Sequence, residues 1–90
     1  MFAASQIYAS LPLLGPDTYR FDCHRGGEGF KVVVDRESLD REDERVHSAQ
    51  PITHRLTRLP WLVLPRVHVQ LEKHGLPLGG IMHLSPEDFA

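Results

Sequence analysis

Tyr19 to Arg25 alternates apolar Tyr19, Phe21 and Cys23 with polar Arg20, Asp22 and His24. A period of two marks a strand with one buried face. A β-branched run, Val32 to Val34, follows Phe30, and Gly26-Gly27-Glu28-Gly29 joins the two stretches. Glycine reaches positive φ without steric cost, so the pattern predicts an antiparallel hairpin. Upstream, Phe2, Ile7, Tyr8, Leu11, Leu13 and Leu14 follow no clean period, and Pro12 and Pro16 bar a long element. Residues 1–16 therefore read as an irregular apolar arm, packed on the body or on another subunit. Residues 17–90 read as a single small α+β domain.

After the hairpin the period changes. Asp35-Arg36-Glu37-Ser38-Leu39 leads into a charged stretch in which Glu37 and Arg41 stand i,i+4, the favourable acid-first order. With Leu39 and Val46 as its large apolar residues, this stretch reads as a short exposed helix or a charged turn. Ser48 to Gln50 reads as a break, with Pro51 suited to a first helical turn. From Ile52 to His74 two patterns compete. Ile52, Leu56, Leu59, Val63, Val67 and Leu71 recur every three to four residues, a helical stripe. Val67, Val69 and Leu71 also alternate with His68 and Gln70, a strand pattern. Pro60 and Pro65 oppose one straight helix, so a helix broken at those prolines is favoured over a strand. Gly75, Pro77 and Gly79-Gly80 end it. Ile81 to Leu84 is a short last strand that joins the sheet. Ser85 and Asp88 have capping-box spacing, and Phe89 reads as an anchor on the core.

Ninety residues allow one hydrophobic core. At 41% hydrophobic and 24% charged the composition is that of a globular domain, too apolar for disorder and too interrupted for a membrane span. Cys23 is the single cysteine, so no internal disulfide forms and nothing calls for an oxidising compartment. The N-terminal stretch lacks the basic and apolar regions of a secretory signal. A cytoplasmic location, bacterial by default, is the expectation.

The order of parts resembles a small bacterial family catalogued as domain of unknown function 1488. The pieces that carry the resemblance are Val33-Val34-Asp35-Arg36-Glu37-Ser38-Leu39 and Gly80-Ile81-Met82-His83-Leu84-Ser85-Pro86-Glu87-Asp88-Phe89. It implies a hairpin, then helices, then a terminal strand. It implies no catalytic residues and no chemistry.

The net charge of −2 is unevenly spread. Asp35 to Arg45 holds six acids against three arginines, whereas Pro51 to His74 holds Arg55, Arg58, Arg66 and Lys73 against Glu72 alone. The guanidinium fork suits phosphates and carboxylates alike. Beside Trp61, the residues Arg55, Arg58, Arg66 and Lys73 form the candidate partner or nucleic-acid surface. The competing reading is that these arginines meet the acids of Asp40 to Glu44, or a partner's acids, and genomic base composition alone could raise the arginine count. Trp61 with Leu62, Val63 and Leu64 is the strongest apolar cluster and reads as core; exposed, it would read as an interface centre.

Six histidines invite a metal reading, but none lie at zinc-ligand spacing, and Cys23 and His24 are adjacent, on opposite faces of a strand. Cys23, His68 and His83 are the least poor ligand set. The same geometry opposes a Cys23–His24 nucleophile pair, and no serine elbow occurs. The acids of Asp40 to Glu44 read as solvated, with nothing to separate their pKa values. Gly26 to Gly29 lacks the lysine and helix of a phosphate loop. No catalytic residue, cofactor or metal is assigned. The chain reads as a non-catalytic interaction or accessory module with a protein partner or itself as a homodimer, and not with a membrane. The alternatives are a nucleic-acid-associated regulator and a small metal-binding protein.

Overall fold

A computed structural model of the chain describes residues 6–47 and 55–89. It is an α+β fold in which two helices cover one face of a five-stranded mixed sheet. The readings made for Phe2, Ser48 to Gln50, Pro51 and Ile52 lie outside the described residues.

The hairpin forms the sheet's centre. β3 (Thr18–Arg25) and β4 (Glu28–Asp35) pair antiparallel from Arg25↔Glu28 to Thr18↔Asp35. Only Gly26 and Gly27 turn the chain, both at positive φ (58° and 89°), as a two-residue turn twisted to match its strands requires. Tyr19, Phe21 and Cys23 of β3 and Phe30, Val32 and Val34 of β4 are buried on one face. Arg20, Asp22, His24 and Lys31 lie on the other, open to solvent.

The N-terminal segment is not an irregular arm. Its described part carries β1 (Ile7–Ala9) and β2 (Leu13–Leu14), each antiparallel to β3 along the same sheet edge. Strands of three and two residues are too short to leave a period in the sequence, and Pro12 between them supplies the break.

β4 runs straight into α1 (Arg36–His47), because Asp35 ends the strand and caps the helix. Its Oδ2 accepts the Ser38 backbone N–H at 2.9 Å and the Ser38 hydroxyl at 2.8 Å. α2 (Arg55–His74) is a single helix of 20 residues, neither strand nor two pieces. Pro60 and Pro65 each remove one backbone donor without ending it. The core stripe Leu59, Leu62, Val63, Val67 and Leu71 is buried along its length and outweighs the proline penalty of about 3 kcal/mol apiece. The Arg66 guanidinium reaches back one turn to the Leu62 carbonyl (3.2 Å), beside the ladder position that Pro65 leaves without a donor.

Gly75, at φ 71°, ends α2 by donating to the Leu71 carbonyl. β5 (Ile81–Leu84) then lies parallel to β4, with Val32↔Met82 and Val34↔Leu84 in register. Ser85 and Asp88 close the last turn reciprocally, through Ser85 N–H to Asp88 Oδ2 at 2.7 Å and Asp88 N–H to the Ser85 carbonyl at 3.0 Å. Phe89 packs against the core. No helix among the described residues is long and apolar enough to cross a membrane.

Candidate functional site

The arginines of α2 turn toward α1. Asp43, 1% exposed, accepts from Arg58 at both oxygens (Nε to Oδ1, 3.0 Å; Nη2 to Oδ2, 2.8 Å) and from Arg55 Nε at 3.1 Å. Glu42, 4% exposed, accepts from Arg45 Nε and Nη2 at 2.9 and 2.8 Å and from Arg66 Nη2 at 2.6 Å. Helical spacing explains the match, since adjacent Glu42 and Asp43 face the Arg55, Arg58 and Arg66 ridge of α2. The acids are therefore not solvated. Both carboxyls lie below their ordinary values, Asp43 chiefly through the Arg58 hydrogen bonds and Glu42 chiefly through the Arg45 ones, against a smaller opposing effect of burial. A carboxylate held ionised and saturated with donors is poorly placed to take up or release a proton near neutrality. This seam fastens two helices together.

Three of the five residues of the candidate partner or nucleic-acid surface are thus engaged with Asp43 and Glu42. Lys73 is exposed in the last turn of α2, about 18 Å along the axis from Trp61. The structure does not gather the five into one patch.

Trp61 departs most from the sequence reading. It is not core but 74% exposed. Leu62 and Val63 carry the packing expected of the cluster, because they sit on the buried side of the helix and Trp61 does not. Trp61 belongs to a second stripe, Thr57, Pro60, Trp61 and Leu64, at spacings of three and four. That stripe faces β1 across an apolar groove of about 440 Å³, whose opposite wall is Ile7, Ala9 and Leu11. Tyr8, half-exposed at the rim, stacks on His24 with ring centroids 5.1 Å apart. Ile7 and Leu11 read from sequence only as parts of an apolar arm and Leu64 only as part of the Trp61 cluster, while Ala9 and Pro60 were missed; the helical spacing of 57, 60, 61 and 64 was the available signal.

A second cleft, about 500 Å³, is polar and lies at the start of α1. Three of the five acids that line it have partners within the chain. Asp35 caps the helix, Glu37 pairs with Arg41 at 2.8 Å, and Asp40 accepts the hydroxyl of buried Tyr19 and stands 3.6 Å from Arg55. Burial and the Asp40 contact raise the Tyr19 pKa above its ordinary value.

Cys23 is buried on the helix-covered face, and desolvation pushes its thiol up to about 12. His83 is exposed on the opposite face of the sheet and His68 is exposed on α2, so the three do not converge. No group of three histidine, cysteine, aspartate or glutamate side chains among the described residues is placed to share an ion. No family model matches the chain, and no curated protein or solved structure shows significant similarity to it.

Proposed function

We propose that this protein is a small non-catalytic interaction module that works by protein–protein contact at the groove between β1 and α2. Exposed Trp61 at the lip of an apolar groove carries the reading. A tryptophan exposed to this degree presents on the order of 150 Å² of largely apolar surface. Covering it is worth about 3–4 kcal/mol before ordering costs. A soluble domain gains nothing from leaving that free energy unused, and tryptophan is the residue most enriched at interface centres. The polar groups support the same reading. The buried carboxylates are saturated by arginine, and the thiol is held protonated, so neither offers a reactive group.

A nucleic-acid role for Arg55, Arg58 and Arg66 requires those side chains to exchange Asp43 and Glu42 for phosphates, whereas docking at the groove leaves the seam intact. A cytoplasmic location belongs to the proposed reading, since a lone cysteine asks nothing of an oxidising compartment.

The test is a photo-crosslinking residue placed at position 61, and separately at His83 on the open sheet face, in cells that make the protein natively. A protein adduct at 61, absent at 83 and lost on Leu11→Asp, is the expected result. No adduct at 61 overturns the reading.

A further inference from the structure

We infer that the groove's occupant is a second copy of this chain, seated by antiparallel pairing of β1 with the β1 of its partner across a two-fold axis. This rests on the docking reading above and specifies its partner.

β1 and β2 end the sheet, and among the described residues no strand pairs with their outer side. Backbone alternation sets which groups face outward. The Ser10 N–H donates to the Asp22 carbonyl at 2.8 Å, so Ser10 and, two residues back, Tyr8 direct their backbone groups at β3. Ile7 and Ala9 therefore direct theirs away from the sheet. Such an edge recruits another strand unless charge, proline or a covering element blocks it; Pro12 interrupts this one after Leu11, so the stretch open to pairing is β1.

Charge is absent here. Residues 1–16 contain no Asp, Glu, Lys, Arg or His, and the helix wall of the groove, Thr57, Pro60, Trp61 and Leu64, is equally uncharged. The site thus has the chemistry of a slot for an extended, uncharged, apolar strand, with open backbone groups on one side and an apolar helix stripe on the other. β1 is itself such a stretch, so the surface is complementary to its own copy, as an isologous two-fold contact requires. No like charges meet there, although the whole chain carries −2.

The area is of the right size. Tyr8, Leu11, Leu13, Leu14 and Trp61 are each more than half exposed. Together they present on the order of 600 Å², divided between the two faces that flank the edge, with Tyr8 and Leu13 on the open side beside His24 and Arg20, and Leu14 and Trp61 on the helix side. A standard interface takes about 800 Å² from each partner, and the paired backbone supplies the remainder.

The experiment is sedimentation of the full chain over about 1 to 200 μM, read together with the emission of Trp61, the single tryptophan. A species of twice 10.2 kDa is expected, with Trp61 emission moving to shorter wavelength as it forms. Ala9→Pro removes an outward N–H while leaving the β3 ladder whole. Trp61→Glu alters a solvent-exposed helix position. Each is expected to weaken the dimer at least tenfold with circular dichroism unchanged. Should Ala9→Pro disturb the fold, Trp61→Glu alone decides. A dimer that persists in the folded variants overturns the proposed pairing. A monomer at every concentration whose position-61 adduct contains a different protein overturns the second copy and leaves the docking reading standing. A monomer with no adduct at 61 overturns both.

Discussion

The guanidinium of Arg58 grips both carboxylate oxygens of Asp43, at 3.0 and 2.8 Å, and joins α2 to α1 across 15 residues of sequence. Asp43 is almost fully buried, and Arg55 supplies a third donor. Removing the carboxylate takes the two-point contact from Arg58 and the nearer partner from Arg55, which keeps Asp40 at 3.6 Å. Asp43→Ala should cost about 3 kcal/mol, a large part of the margin of a domain this size. A fall in the urea midpoint with little change in slope is the expected observation.

The seam also sets the acid limit. The folded-state pKa values of Asp43, Glu42 and Asp35 are depressed, by Arg58, by Arg45 and by Ser38 respectively. A depressed carboxyl contributes stability that is complete above its unfolded value and is lost as pH falls through its folded value. Stability should therefore hold from neutral pH down to about 5 and decline below the model-peptide carboxyl range near 4. Thermal melts across pH 2 to 7 check this.

At the alkaline end the sign reverses. Tyr19 and Cys23 have raised folded pKa values, both chiefly from burial. Their contribution is complete below the unfolded values and is lost as pH rises, between 9.0 and about 12 for the thiol. Melting temperature should begin to fall above pH 9, and Cys23→Ala should blunt the part due to the thiol.

Cys23 should also be chemically silent in the native state. A thiol that is buried and held protonated reacts only when the sheet opens. Labelling with a thiol reagent should be slow in buffer and accelerate with urea in step with unfolding. Rapid labelling without denaturant would contradict the burial of Cys23.

Pro65 lies exposed within α2, and its ring denies the Trp61 carbonyl a ladder donor. Pro65→Ala should raise stability by roughly 1–3 kcal/mol, measured by urea unfolding. Destabilisation would show that the proline's local bend is needed for packing.

Much of the fold was legible where one rule governed. The alternation of Tyr19, Phe21 and Cys23, the Gly26-Gly27 turn, the last strand and the Ser85–Asp88 closure all follow from local chemistry and stand in the structure. The departures arise where a tertiary contact overrode a local rule. Pro60 and Pro65 should break a helix, but the buried stripe from Leu59 to Leu71 holds α2 together. Glu42 and Asp43 look like a solvated run until the arginines of α2 reach them; the charge split offered that contact as the competing reading, and the structure bears it out, but sequence gives no measure of how two helices approach. Trp61 sits among Leu62, Val63 and Leu64 in sequence but points the other way, since neighbours on a helix stand about 100° apart. The groove was the least legible feature, because its wall from β1 comes from a strand too short to leave a pattern.

The central claim, that Trp61 is a covered contact surface in the working state, is tested most directly by oxidative footprinting of that side chain. With one tryptophan in the chain, mass spectrometry reads it unambiguously. Trp61 should oxidise readily in dilute purified protein and be several-fold protected in intact cells, with His83 on the open sheet face modified equally in both. Equal oxidation of Trp61 in the two settings would mean that nothing docks at the groove.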